Sequence, residues 1–420
     1  MFKFICAADL HLDSPLHGLS RYEGAPVEEL RTATRDALRN LVDLAVGEEV
    51  KFVLISGDLF DGDWKDQHTG LFLVSQLKKL ADAGIRVYAI SGNHDADGNI
   101  TRSLRMPPNA TLLSTKAPQT VLLEDLGVAI HGQGFARRDV TENLSLRYPD
   151  AIRGFFNIGM LHTALMGAEG HELYAPCSLG DLQSKGYDVW ALGHVHNRAV
   201  LCENPLILFP GNTQGRHARE TGPKGCTLVT VEDGRVESHE HRDLHVVQWE
   251  VVRVDASGLS SPSEVVDAVV GVVGDKVGEA GGNTLAARII VEGPCAAHRD
   301  LVAGQDQWTD DVRAAVTGTL DGVWVEKVRF LTAPLADLGA IRTGTDALSD
   351  LVRYADGLSA DEQSKALIAE DLALLKEKLP REVFTGQDAI NYDDPAELTR
   401  LVEDVKGMLV TGILSPGERR

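Results

Sequence analysis

The sequence predicts a layered α/β domain, followed by a smaller α+β domain and a helical tail. Three observations carry that expectation. Short β-rich apolar runs recur along roughly the first 235 residues, helical stretches separate several of them, and a polar motif follows each run at its carboxyl end. Strands alternating with helices build layered α/β folds, and ligands in such folds gather outside the carboxyl ends of the strands. At 420 residues the chain exceeds one ordinary core, so two or three domains are expected.

Taken in order, Phe2–Ala7 is the first strand and leads into Asp9-Leu10-His11. Pro26–Val46 carries Leu30, Ala33, Ala37, Leu38, Leu41 and Leu44 at helical spacing. Phe52–Ser56 leads into Gly57-Asp58-Leu59-Phe60-Asp61, and the helical pattern of Thr69–Ala83 follows. Val87–Ser91 leads into Gly92-Asn93-His94-Asp95, Asn157–Leu161 into His162, and Asp188–Leu192 into Gly193-His194-Val195-His196. Leu206–Phe209 leads into Pro210-Gly211-Asn212, and Thr227–Val231 with Val236–His241 flanks a turn that closes the first domain as a hairpin. From Trp249 to Leu335 the pattern is strand, helix, strand, helix, strand, with no titratable cluster of catalytic type. Beyond it, Asp361–Leu379 and Pro395–Leu409 have helical periodicity. The expected divisions are residues 1–245, 246–336 and 337–420.

Composition narrows the class. No stretch approaches the ~20 apolar residues of a membrane helix, and the apolar opening is short for a signal peptide. The expected location is therefore the cytoplasm, with no membrane partner. The cysteines at 6, 177, 202, 226 and 295 are scattered, with no CxxC pair, which argues against a disulfide framework and a zinc knuckle. A formal net charge of −21 counts against gripping nucleic acid through a large basic face. It leaves open a nucleic-acid enzyme whose metal ions neutralise phosphate charge locally.

The chemistry is carried by Asp9, His11, Asp58, Asn93, His162, His194 and His196. Asp9 and His11 lie two apart at a strand end, where both side chains can face one side of the pleat. Asp58 follows a glycine that permits a tight turn. Mixed carboxylate, amide and imidazole donors suit Mn²⁺, Fe or Zn²⁺ better than an oxygen-only ion. Seven donors exceed one tetrahedral site but fit two ions that share a carboxylate, Asp58; such pairs sit ~3.5–4 Å apart and clamp the attacking and leaving oxygens of a displacement. His94 is read as catalytic and not a ligand, with Asp61 placed to accept a hydrogen bond from its ring. That pairing prepares His94 to protonate a leaving oxygen. Asn212, Arg216 and His217, after the Leu206–Phe209 run, are candidate substrate contacts. Asp13 is read as a turn or supporting residue, and Trp64 as a residue that either stacks on a base or packs its own loop.

The ordered set Asp9-x-His11, Gly57-Asp58-x-x-Asp61, Gly92-Asn93-His94-Asp95, His162 and Gly193-His194-x-His196 resembles the calcineurin-like metallophosphoesterase superfamily. That resemblance implies a four-layer αββα sandwich, with a small α+β capping domain and a helical C-terminal segment after it. It also implies one metal on Asp9, His11, Asp58 and His196, and a second on Asp58, Asn93, His162 and His194. A narrower likeness lies in Ala8–Leu16, in Tyr174–Leu179 and in Phe209–His217. These resemble bacterial DNA-repair exonucleases of the YhaO-like, SbcD-related type. The branch implies two Mn²⁺ ions, cleavage of DNA phosphodiesters, a coiled-coil ATPase partner of SbcC type, and in many relatives a homodimer. Archaeal and eukaryotic relatives carry a histidine where this chain has Asp61, which leaves His94 as the main non-ligand catalytic group. Two other functions remain open at this point. One is a small-molecule phosphodiesterase or phosphatase that shares the site; the other is a non-catalytic scaffold that keeps the fold.

Overall fold

The computed structural model describes residues 1–14, 26–61, 67–96, 105–165, 174–335 and 338–361, with single positions 367, 368, 372, 399, 402, 405 and 406 beyond them. The expected helices over 361–379 and 395–409, and Trp64, lie largely or wholly outside the described residues.

The first domain is built on two six-stranded sheets. One contains β1 (Phe2–Ala7), β2 (Phe52–Ser56), β3 (Arg86–Ile90), β4 (Ala110–Leu112), β11 (Gly225–Glu232) and β12 (Arg235–Asp243), in the order β12-β11-β1-β2-β3-β4. The other contains β5 (Gln119–Leu123), β6 (Val128–Gln133), β7 (Phe156–His162), β8 (Val189–Gly193), β9 (Ala199–Glu203) and β10 (Leu206–Phe209), in the order β5-β6-β7-β8-β10-β9. Strands β1–β4 run parallel, as do β6, β7, β8 and β10. Each sheet therefore aims the carboxyl ends of several neighbouring strands the same way.

Side-chain alternation explains the layering. Phe4 and Cys6 of β1 pack with Phe52, Leu54, Ile130, Ile158, Met160 and Val189 in the core between the sheets. Ile5 and Ala7 point the opposite way and pack under α1 (Val27–Gly47) and α2 (Gln67–Asp82), against Leu38, Leu41, Leu73 and Leu77. Both faces of β1 and β2 are thus covered, so these strands read as continuous apolar runs and not as alternating ones. The outer face of the second sheet is covered differently. Trp190, Leu192, Ile207 and Phe209 pack there with Tyr148, Tyr187 and Leu182 of a short helix, Leu179–Gln183.

Strands β4, β5, β6 and β9 were not among the runs read from the sequence. The first and the last are edge strands of intermediate burial, and β5–β6 is a hairpin whose outer strand is only partly buried. Partial burial weakens the apolar signal of β4, β5 and β9, whereas β6 is fully buried but has its apolar run cut short by His131, Gly132 and Gln133. Beyond the two sheets, β13 (Val247–Asp255), β14 (Thr284–Pro294) and β15 (Val323–Ala333) form a third sheet in that order. Helices Pro262–Glu279 and Gln305–Thr319 connect those strands, the second preceded by the short helix His298–Ala303; Leu338–Thr343 and Ala347–Ala360 follow. By internal packing, one compact unit comprises Met1–Glu250, Val277–Ala287 and Gly322–Glu326. The other comprises Val251–Lys276, Arg288–Asp321 and Lys327–Arg420.

Candidate metal centre

The polar motifs meet at the carboxyl ends of the two sheets. Beyond β1, the chain does not continue the pleat. Asp9 and His11 have φ of +52° and +42°, and Asp58 has +51°. Strand alternation therefore does not place Asp9 and His11 on one face, because both lie past the end of β1. Backbone hydrogen bonds bring them together instead. Asp9 N–H donates to the Gly57 carbonyl, His11 N–H to Asp58 and Leu12 N–H to Leu59, each at 3.0 Å. Non-glycine residues in the left-handed region cost on the order of 1–3 kcal/mol each and persist where the surroundings over-determine them. His194, at φ +96°, adds a fourth such position from the second sheet.

Glycines before three of the motif residues make room for their neighbours. A Cβ on Gly92 would stand 2.2 Å from Asp58 Oδ1, and one on Gly193 would stand 1.9 Å from the Ser56 carbonyl oxygen. Asp95, which the sequence reading left without a role, accepts from the backbone N–H of Leu59, Phe60 and Gly92 at 3.0–3.1 Å. It ties the loop after β2 to the loop after β3. Burial, followed by the charge of Asp58, pushes its carboxyl up to about 7.

The donor atoms converge. His11 Nε2 lies 3.2 Å from His196 Nε2 and 3.7 Å from Asp58 Oδ2. His162 Nε2 lies 3.5 Å from Asp58 Oδ2 and 2.9 Å from Asn93 Oδ1. His162 Nδ1 stands 4.0 Å from Asp9 Oδ1, and the His194 ring centroid is 5.3 Å from that of His162. Three overlapping groups have the spacing of a metal site: Asp9, His11 and His196; His11, Asp58 and His94; and Asp9, Asp58 and His162. The structure thus brings all seven expected ligands to one place, with Asp58 in two of the three groups.

Two features show that cations fit here. Asp9 and Asp58 are each 1% exposed and close enough to repel each other. Burial and the Asp58 charge raise the Asp9 pKa well above the carboxylate range; Asp58 is also penalised by burial, yet is held low, with the His94 ring, whose own pKa is raised, and the His94 backbone N–H among the groups that favour its ionised form. Protein charges alone keep only one of the pair ionised, whereas cations between them would keep both. The imidazoles are also in the right form. Burial pushes His11 down to about 3 and lowers His162, so both are neutral and offer a lone pair.

Ring orientation is set from outside the cluster. His162 Nδ1 donates to the Ser56 carbonyl at 2.9 Å, which leaves Nε2 facing Asp58 and Asn93. His196 Nδ1 donates to Glu220 Oε1 at 2.6 Å, which leaves Nε2 facing His11. Such a hydrogen bond on the far nitrogen is how metal-binding histidines are oriented. Glu220 is buried, and burial alone would raise its pKa; the His196 bond and the Arg216 charge outweigh that and hold it ionised. Its Oε2 accepts from Asn212 Nδ2 and from the Arg216 backbone N–H. Sequence reading missed Glu220. The only signal was a carboxylate four residues after Arg216, in a loop.

His94 is 30% exposed, and its Nδ1 lies 2.6 Å from Asp61 Oδ1. Burial lowers the His94 pKa, but the Asp61 bond and the Asp58 charge outweigh it and hold it above the ordinary value. Burial likewise penalises ionised Asp61, and the His11 and His94 rings reverse that, so its carboxyl stays far below the usual range. Ser14 Oγ donates to Asp61 Oδ2 at 2.5 Å, and Arg216 Nη1 is 3.5 Å from the same oxygen. Of the three candidate substrate contacts, Asn212 is fully buried and donates to Glu220 and to the Gln214 carbonyl. Arg216 is held between Glu220 and Asp61. His217 is the most open of the three, its side chain 33% exposed and 3.6 Å from Glu220. Asp13 spends its carboxylate on Arg35 of α1 and Thr69 of α2.

Two buried carboxylates, an amide and imidazoles at the carboxyl edges of the two sheets provide the donor set of a metal site. Residues 2–198 match the calcineurin-like phosphoesterase family, and residues 249–333 match the middle domain of metallophosphoesterase YhaO. The chain thus carries a calcineurin-like phosphoesterase domain followed by a YhaO middle domain. It is 41% identical over 258 residues to an uncharacterized metallophosphoesterase YhaO of Bacillus subtilis, covering 60% of this chain and 63% of that protein. The match therefore spans just under two thirds of that relative. It is 28% identical over 273 residues to the DNA double-strand break repair protein Mre11 of Sulfolobus acidocaldarius, covering 61% of this chain and 69% of that one. The corresponding protein of Sulfurisphaera tokodaii is 25% identical over 240 residues, 53% of this chain and 60% of the relative. No helix among the described residues is long and apolar enough to cross a membrane.

Proposed function

We propose that this protein is a DNA exonuclease or endonuclease that hydrolyses phosphodiesters with two divalent ions, most suitably Mn²⁺. The observation that carries the reading is the convergence of Asp9, His11, Asp58, Asn93, His162, His194 and His196 on one spot, with Asp58 central to it. When bound, the ions supply Lewis-acid activation of water and neutralise phosphate charge. The residues do the rest. Glu220 and the Ser56 carbonyl present the Nε2 lone pairs of His196 and His162. Asp61 holds His94 through Nδ1, which leaves Nε2 to donate a proton to the departing oxygen. Arg216, anchored by Glu220 and Asp61, adds positive charge at the rim.

DNA as substrate is supported by the likeness to proteins named for double-strand break repair. The SbcD-like motifs extend the reading to DNA repair with an ATPase partner of SbcC type. Residues 246–336 are proposed as a capping domain and 337–420 as a partner-binding segment. The net charge of −21 favours a second reading, a phosphodiesterase of small molecules. The test is hydrolysis of linear duplex, single-stranded and circular DNA beside bis(p-nitrophenyl) phosphate, in Mn²⁺, Mg²⁺ and EDTA. Degradation of linear DNA in Mn²⁺ but not EDTA is the expected result. Activity on the small ester with none on any DNA form selects the second reading.

A further inference from the structure

The two histidines after β8 are held through opposite ends of the peptide group. His194 N–H donates to both carboxyl oxygens of Asp9, at 3.0 and 3.1 Å. The His196 carbonyl accepts instead, from Asn212 N–H and from Lys224 Nζ, each at 3.2 Å. Lys224 Nζ also donates to Asn197 Oδ1 at 3.0 Å. A carboxyl group thus holds the start of this turn and an ammonium holds its end.

Lys224 is 4% exposed. Lysine is seldom buried to that degree unless it is paired. Burial works against its charged form, and the Glu220 carboxylate favours that form without outweighing burial. An apolar side chain of similar length would avoid the cost, so the ammonium is explained by its two acceptors, which both belong to the turn that carries His196. The main chain beneath it is fixed. The Lys224 carbonyl accepts from Leu244 N–H at 2.9 Å and His245 N–H at 3.2 Å, and Gly225 N–H donates to the Asn212 carbonyl at 3.2 Å. Gly211 allows the close approach: its φ is +81°, and a Cβ there would stand 2.9 Å from the His196 carbonyl oxygen. Lys224 also follows Glu220 by four positions, and Glu220 sets the His196 ring through Nδ1. One segment therefore holds both the ring and the main chain of His196. His162 is oriented from elsewhere, by the Ser56 carbonyl.

We propose that Lys224 is a positioning residue for metal binding: its ammonium fixes the His196 main chain, so that the ring set by Glu220 keeps Nε2 turned to His11. The inference rests on the reading of His196 as a ligand in a two-ion site. Position and charge predict opposite signs. Removing a cation from beside the centre would, by charge alone, tighten binding of Mn²⁺. Losing an outer support of a ligand weakens it.

The test is calorimetric titration of the full chain with Mn²⁺, in the wild type, in Lys224→Met and in Asn197→Ala, with the melting temperature in EDTA as the check on folding. The wild type is expected to bind two equivalents. Lys224→Met is expected to weaken one of them by about tenfold or more and to leave the other unchanged. The visible absorption of the Co²⁺-loaded variant, which reports ligand geometry, is expected to shift as well; a role in packing alone would lower the melting temperature and move neither signal. Asn197→Ala, at an exposed position, removes one acceptor and is expected to weaken the same equivalent by about threefold. Unchanged or tighter Mn²⁺ binding in Lys224→Met overturns the proposal, as does unchanged binding in Asn197→Ala should Lys224→Met not fold. A wild type that binds no Mn²⁺ is a different failure, since it removes the two-ion reading and this inference with it.

Discussion

The two sheets of the first domain contribute different chemistry to one site. Loops after β1, β2 and β3 bring all the oxygen donors, Asp9, Asp58 and Asn93, together with a single imidazole, His11. The last residue of β7 and the loop after β8 bring only imidazoles, His162, His194 and His196. The means of positioning differ as well. On the first sheet the backbone does the work, through left-handed residues, loop-to-loop hydrogen bonds and the three N–H groups gathered by Asp95. On the second, the far ring nitrogen is fixed, by the Ser56 carbonyl for His162 and by Glu220 for His196. Carboxylates can bind through either oxygen and tolerate rotation. An imidazole has one useful lone pair, and its tautomer must be set.

That comparison can be broken at its centre first. Asp58 is within 3.7 Å of His11 from its own sheet and within 3.5 Å of His162 from the other. Asp58→Asn is expected to lower metal-dependent hydrolysis on the order of 10³-fold or more, and to weaken binding of a second equivalent of Mn²⁺ measured by calorimetry. A variant that keeps both would refute the shared-carboxylate arrangement. The next effect separates chemistry from binding. His94→Gln is expected to lower kcat by about 10²-fold while metal content by elemental analysis stays unchanged; undiminished turnover would remove His94 from the reaction.

The third prediction sharpens the contrast between the sheets. Glu220→Gln keeps the shape but removes the charge behind His196, and metal affinity is expected to fall about tenfold. His196 Nδ1 and Nε2 shifts in a ¹⁵N spectrum should change with it, whereas a packing role alone would leave the tautomer as it is. The smallest effect concerns the tie between sheets. Ser56 Oγ donates to the Ala191 carbonyl of β8 at 2.9 Å. Ser56→Ala is expected to cost about 1 kcal/mol of stability and to lower Tm by about 2–4 °C by calorimetry.

Much of this was legible in the chain. The six apolar runs that precede motifs all became strands, because central strands covered on both faces must be apolar throughout. The seven metal-type residues were legible from residue type and from their place after a strand. The partly buried strands β4, β5 and β9 were not, since their side chains carry a mixed pattern. Glu220 was not legible either, because a lone glutamate in a loop has no period and no motif. Its role follows from a hydrogen bond to His196, 24 positions away.

The sequence by itself determined which strands carry the motifs, where each motif hangs on them and which donor chemistry is available. Those depend on local periodicity and residue type. Tertiary structure alone decided three other things: that Asp9 and His11 converge through left-handed turns and not through the pleat, that the oxygens and the imidazoles come from opposite sheets, and that Glu220 orients a ring it does not neighbour in the chain. Each depends on contacts between distant segments, which packing of the two sheets creates and which no local pattern encodes.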